Sequence, residues 1–186
     1  MVTVFRMIAS LTLCHTHRHR VRHDPLVRFE PGLNAIIGPN GTGKSTILRV
    51  IQQCPHCTLA GDEATRTLLF NSESANPQAS GFTRKTQLDT ILQTRGLFSS
   101  HGEIMRDVLA TLPVGPGDVL LLDEPEAGQD ASWAERLRTG LLDLHREIGV
   151  QIIMATHHPL LWYESNVIEL APGYEEQTRA LFRRYL

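Results

Sequence analysis

Short apolar runs, most of them four or five residues long, alternate along the chain with polar, glycine-bearing breaks and with segments of helical spacing. Val2–Ile8 and Leu11–Val21 read as strands, ended by the turn signal His23-Asp24-Pro25. Leu26–Phe29 is a further short strand before the turn Pro31-Gly32, and Leu33-Asn-Ala-Ile-Ile37 is an apolar run that ends in a glycine-rich loop. Ser45–Gln53 has helical spacing, with Ile47, Leu48 and Ile51 on one face. Thr67–Phe70 is another strand, and Asn71–Arg84, rich in Ser, Asn, Pro and Gly, is a loop. Leu88–Gln93 and Glu103–Leu112 read as helices flanking Gly96–Gly102. Strands at Val119–Leu122, Gln151–Ala155 and Val167–Leu170 alternate with helices at Ser132–Ile148 and Glu175–Tyr185.

Buried strands alternating with helices predict an α/β fold whose mainly parallel sheet is covered on both faces, with the early strands forming a small antiparallel lobe. The 186 residues fit one domain, 1–186, with a β lobe over 1–32 and a short helical lobe over 74–115. Hydrophobic residues make up 41% and charged residues 20%, enough apolar matter for a packed core. The net charge of −2 means that any polyanionic partner must be met by a local patch. No run approaches the ~20 apolar residues of a membrane span. The first ten residues lack the plan of a signal peptide, so a cytoplasmic protein without membrane insertion is expected.

Gly38-Pro39-Asn40-Gly41-Thr42-Gly43-Lys44-Ser45 matches the spacing G-x-x-x-x-G-K-[ST] in full, after an apolar strand and before a helix. Glycines let the backbone curl so that successive N–H groups converge on phosphate oxygens. Lys44 would reach the β- and γ-phosphates, Ser45 would hold Mg²⁺, and the helix beginning near Thr46 would aim its positive end at the anion. Val119-Leu-Leu-Leu-Asp123-Glu124 supplies carboxylates at the C-terminal end of a buried strand, where open α/β sheets bind ligands. Asp123 would take Mg²⁺, and Glu124 would polarise an attacking water.

With Thr156-His157 after the next strand, the run Asp123-Glu124-Pro125 resembles the ABC-type ATPase superfamily, over about Gly32 to about Leu170. Asp123-Glu-Pro-Glu126 and Ala155-Thr-His-His-Pro159 look closer to its stand-alone, chromosome-maintenance and RecF-like AAA-type branch than to transporter subunits. The resemblance implies ATP and Mg²⁺ as cofactors. It implies a homodimer or heterodimer that sandwiches ATP, and a separate effector, with DNA repair and phage defence as the settings the branch suggests. His157 resembles the switch histidine that touches the γ-phosphate, and Asp130 the aspartate of the loop crossing the dimer interface. Ser100, Gly102 and Glu103, in Ser99-Ser-His-Gly-Glu103, resemble the signature motif, with His101 replacing its first glycine. For the glutamine loop, which also reaches the metal, Glu73 and Gln78 are both candidates, with Glu73 nearer the strand end. Phe5 is a candidate to stack on adenine, a core role being the alternative.

Two further patterns have bland readings. Cys54-Pro-His-Cys57 has redox spacing but follows a helix, the wrong end of the dipole for thiol activation, and with no second such pair a four-cysteine zinc site is excluded. His15, His17, His19 and His23 alternate with Arg18, Arg20 and Arg22, so on a strand the histidines share one face. A solvated edge strand, a metal site and a phosphate-contacting strip for nucleic acid are the readings of that stretch. Alternatives for the whole chain are the ATPase subunit of a membrane transporter and a small P-loop kinase.

Overall fold

A computed structural model of the chain describes residues 7–21, 24–62, 66–71 and 113–184. The chain enters through strand β1 (Ile8–Thr12), turns through helix α1 (His15–Arg18), and continues into β2 (Leu26–Arg28) and β3 (Leu33–Ile37). Helix α2 (Lys44–Gln53) leads to β4 (Thr58–Gly61), and β5 (Thr67–Asn71) follows. After residue 112 come β6 (Val119–Asp123), α3 (Ala131–Asp143), which runs on as a wider turn over Leu144–Ile148, and β7 (Gln151–Ala155). Helix α4 (Pro159–Trp162), β8 (Asn166–Glu169) and α5 (Tyr174–Arg183) complete the described part.

Two sheets result. β5-β6-β7-β3-β8 form a parallel sheet, and β2-β1-β4 form an antiparallel one. Every residue of β3, β6 and β7 is buried, as expected of central parallel strands. Their period-2 side chains feed two cores. Ile36, Leu121 and Ile153 pack with Ile47 and Leu48 of α2 and with β1 and β2, while Ala35, Leu122 and Met154 pack with α3 and Trp162 of α4.

Two buried amides tie the layers together. Gln151 on β7 exchanges hydrogen bonds with the Ile8 backbone (2.8 and 2.9 Å), so the antiparallel sheet is fixed to the parallel one. The Asn34 amide donates to the carbonyls of Glu30 and Ile152, and its oxygen accepts from the Glu30 amide and the Asn166 side chain. A buried amide with each polar atom engaged costs little, and it fixes the register of β3 between its neighbours.

The parallel sheet, the covering helices and the small antiparallel sheet agree with the expected fold. The stretch Leu11–Val21 does not. The strand ends at Thr12, and His15–Arg18 form a helical turn with Cys14 as its N-cap. His15, His17 and His19 therefore do not share one strand face: alternating side-chain types imitated a period of two, whereas the turn places residues three apart side by side. Strand β4 and helix α4 carried no clear periodic signal, being only four residues each. Phe5, Arg22, His23, Glu73 and Gln78 lie outside the described residues, as do Ser100, Gly102, Glu103 and the helices expected at 88–93 and 103–112.

Candidate functional site

The site lies at the C-terminal edge of the parallel sheet, where three loops meet. β3 delivers the chain into the loop Gly38–Gly43, whose turns need backbone that other residues resist: Gly38, Gly41 and Gly43 have φ of 152°, 76° and 102°. Thr42 Oγ1 donates to the Pro39 carbonyl at 2.8 Å and braces the curl from within. Pro39, Asn40 and Gly41 remain exposed at its rim. Gly43 caps α2, and a Cβ there would stand 2.7 Å from the carbonyl oxygen of Arg20. Lys44, only 5% exposed, arches its ammonium back to the carbonyls of Gly38 (3.0 Å) and Pro39 (3.3 Å), so the cation sits over the loop.

Ser45 Oγ donates to Asp123 Oδ1 at 2.8 Å, and the Asn71 amide donates to the other carboxylate oxygen at 2.7 Å. Register explains the second contact, because Asn71, Asp123 and Ala155 are level across β5, β6 and β7. Glu124 follows with φ of 49°, a left-handed conformation that costs a non-glycine residue roughly 1–2 kcal/mol. Its amide donates to the Ala155 carbonyl (2.9 Å), and this turn leaves the half-exposed Glu124 carboxylate 3.7 Å from His157 Nε2. Strain held at a strand end beside such a pair is the kind that functional sites retain.

His157 is itself held by Glu126, whose Oε1 accepts from the Thr156 hydroxyl (2.7 Å) and the His157 amide (2.8 Å). Neither Asn71 nor Glu126 had a role in the sequence reading. Glu126 was visible there within Asp123-Glu-Pro-Glu126, and Asn71 as a polar residue ending an apolar strand. Asp130 caps α3, accepting from the Trp133 amide (2.8 Å) and the Ser132 hydroxyl (2.7 Å). Thr46, in the first turn of α2, lines a groove shared with residues of α1.

Comparison with known proteins fits this geometry. Residues 10–94 match a family model described as "AAA domain", and residues 108–162 match one described as "AAA domain, putative AbiEii toxin, Type IV TA system". The sulfate/thiosulfate import ATP-binding protein CysA of Mycobacterium tuberculosis is 32% identical over 67% of this chain and 46% of that protein. CysA of Gloeobacter violaceus is 30% identical over 83% of this chain and 56% of its own length. A dimeric ATP-binding cassette solved in a post-hydrolysis state with ADP and Pi superposes with a TM-score of 0.56 at 19% identity, covering 80% of this chain and 85% of that one. The chain belongs to the ABC-type ATPases of the P-loop superfamily. It spans about half the length of the curated relatives it matches.

The electrostatics of this ABC-type site oppose one another. Burial pushes the Lys44 ammonium below its ordinary value, while Glu124, Asp123 and Glu126 pull it back up. Burial likewise lowers the His157 imidazole, with the Lys44 charge adding to the effect and Glu124 and Glu126 resisting it, a balance that favours the neutral ring. Its Nε2 is buried and makes no hydrogen bond among the described residues, leaving a polar atom aimed into the site. The donor set suits the nucleotide and metal of the family. Ser45 Oγ and Asp123 Oδ1 are adjacent hard oxygens of the type Mg²⁺ prefers, and a Cβ added at Gly41 would meet nothing within 4 Å.

Proposed function

We propose that the chain binds MgATP and hydrolyses it to ADP and phosphate. The observation that carries this reading is the Ser45–Asp123 contact of 2.8 Å. It joins the phosphate loop to a strand end whose next residue, Glu124, stands beside His157. Lys44 and the loop amides would bind the β- and γ-phosphates, and Ser45 and Asp123 would hold Mg²⁺. The bound metal would neutralise charge on the phosphate oxygens. Asn71 fixes the Asp123 carboxylate from the side away from Ser45. Glu124 would orient water and accept its proton. His157, a neutral imidazole steadied through its backbone by Glu126, would donate to the γ-phosphate.

The finer parts of the proposal rest on the family. The whole of 1–186 acts as one ABC-type unit in the cytoplasm, with a β lobe over 1–32 and a helical lobe over 74–115. Two copies, or this chain and a related one, close over ATP, each contributing Ser100, Gly102 and Glu103 to the other's nucleotide and Asp130 to the contact between them. Glu73 or Gln78 completes the metal side. The dimeric cassettes among the structural neighbours support the closure. An effector protein receives the output. A defence setting draws support from the second family description, and a DNA-repair setting from the branch resemblance. The helical turn at His15–Arg18 removes the strand face that suggested nucleic acid.

One substitution tests the chemistry. Glu124→Gln keeps volume but cannot take a proton, so turnover without any acceptor should fall by about 10²–10⁴-fold while ATP binding persists. ATP should then drive this variant into dimers. Unchanged turnover would remove Glu124 from the chemistry, and activity that needs an acceptor would indicate a kinase. A second reading, a transporter subunit, is favoured by the relatives' import and transporter names. Capture of a polytopic membrane protein by the trapped variant from the native cell would establish it.

A further inference from the structure

Antiparallel pairing of β1 with β4 ends at Thr12 opposite Thr58. The chain leaving β1 and the chain entering β4 therefore meet at one corner, which α2 closes with its C-terminal end. Cys14 is the N-cap of α1, His17 lies three residues on, Cys54 is the C-cap of α2, and Cys57 directly precedes β4. The ligand atoms of these four half-buried residues lie within 4.8 Å of one another, and all three thiols are free. We propose that this corner is a closed zinc site with three cysteine ligands and one histidine ligand, a site distinct from the nucleotide site and requiring no particular reading of it.

Distances separate this reading from a plain hydrogen-bonded cluster. His17 Nδ1 lies 3.2 Å from Cys14 Sγ, 3.5 Å from Cys54 Sγ and 3.6 Å from Cys57 Sγ. One imidazole nitrogen holds one proton or one lone pair and can serve one of those sulfurs, not three. Tetrahedral zinc, with Zn–S of about 2.3 Å and Zn–N of about 2.0 Å, sets each sulfur about 3.5 Å from the nitrogen. The observed edges bracket that value. Two pairs, Cys-x-x-His and Cys-x-x-Cys, each three residues apart on a tight turn, are the spacing structural zinc uses, and four protein ligands leave no open position for catalysis.

The surroundings suit a cation held by thiolates. The Cys14 amide donates to Cys57 Sγ at 3.2 Å, a contact that fixes a ligating sulfur from outside the metal shell. Binding would send three thiol protons to solvent and leave the complex with one net negative charge, which Arg20 and Arg49, lining the same groove, would offset. The C-terminal end of α2 adds its negative dipole. Thiolate ligation in a tetrahedron selects zinc over the hard cations that suit Ser45 and Asp123. Helix α1 buries no residue of its own, so the metal would be what holds Cys14–Arg20 down, and with it the Arg20 carbonyl packed over Gly43.

The test uses the full chain, expressed without a histidine tag and purified without chelator. Metal analysis should find about one zinc per chain, with the three thiols slow toward a thiol reagent until a strong chelator is added. X-ray absorption on the wild-type protein should show three sulfurs at about 2.3 Å and one nitrogen at about 2.0 Å. Cobalt substitution should give sulfur-to-metal charge-transfer bands. Cys57→Ala and His17→Ala should each lower the bound zinc several-fold, while His56→Ala, between two ligands, should leave it unchanged. Since a ligand variant can fail to fold, the wild-type measurements decide. Folded protein with under a tenth of an equivalent of zinc and three reactive thiols would overturn the site. So would a zinc shell without sulfur, or a Cys54–Cys57 disulfide in the native protein.

Discussion

The two ends of α2 hold opposite chemistry. At its N-terminus, Gly43, Lys44 and Ser45 present a buried cation and a positive dipole to an anion. At its C-terminus, Cys54 opens a corner of thiols and imidazole that suits a soft cation. The first end is built from one contiguous stretch, and its partners Asp123 and Glu124 follow a single buried strand. The second is assembled from two stretches some forty residues apart and exists only once β1 has paired with β4. A site coded in one run can be read from the sequence, whereas a site made by strand register needs the register.

The sharpest way to separate the ends is to remove the charge from one. Lys44→Ala strips the cationic partner from a buried phosphate position, a loss of about 2–5 kcal/mol in MgATP binding. Calorimetry should show it, while bound metal at the thiol corner stays unchanged. Intact affinity would take Lys44 out of the site.

How far each end was legible follows from particular residues. The strands Leu33–Ile37 and Gln151–Ala155 were found to the residue because runs of four apolar residues and a single amide, bounded by turn signals, have few other readings. The grouping of Gly38–Ser45 with Asp123 and Glu124 followed from motifs whose spacing carries its own geometry, and His157 joined them through the family resemblance. Asn71 and Glu126 escaped because their partners lie 52 and about 30 residues away, across the sheet. His17 was weighed as a metal ligand only in company with His15, His19 and His23, because its alternation with arginine looked like a strand. The pair Cys14-x-x-His17 then went unnoticed as the complement of Cys54-x-x-Cys57, although a cysteine three residues before a histidine on a tight turn was the signal available.

A second substitution tests whether the ends communicate. Gly43→Ala places a side chain at φ of 102° and within 2.7 Å of the Arg20 carbonyl. The conformation alone costs roughly 1–2 kcal/mol and the contact adds to it, so about 2–4 kcal/mol of stability should be lost. Because Arg20 lies just beyond α1, metal at the thiol corner should be released more readily at the same time. Chemical denaturation and a zinc-release assay read the two effects. Lost stability with unchanged zinc release would show that the ends are independent.

The third substitution works within the N-terminal end. Glu126→Ala deprives the Thr156 hydroxyl and the His157 amide of a charged acceptor, at a cost of about 1.5–3 kcal/mol. His157 would lose its placement opposite Glu124, so turnover should fall more than tenfold with ATP affinity changed much less. Equal losses in both would mean that Glu126 holds the loop as a whole and does not specifically position His157.

The smallest effect belongs to a contact remote from both ends, and it provides the baseline for the others. Asp118, just before β6, accepts from Arg66 and from the Gly115 amide, and the guanidinium holds its carboxyl below the usual carboxylate range. A carboxylate whose folded value is depressed stabilises the native state fully above its unfolded value of ~3.9, and the contribution is lost as pH falls through the lower folded value. Asp118→Asn removes that dependence. The Arg66 side chain is 56% exposed, so solvent screens the pair, and a Tm lowered by only about 1–3 °C at pH 7 is expected. The gap between wild type and variant should hold from pH 7 to pH 5 and close below pH ~4. Nucleotide affinity and bound zinc should both stay at wild-type values, since Asp118 touches neither end of α2. A gap that widened in acid would reverse the sign and mean that Asp118 is more readily protonated in the folded chain than in the unfolded one.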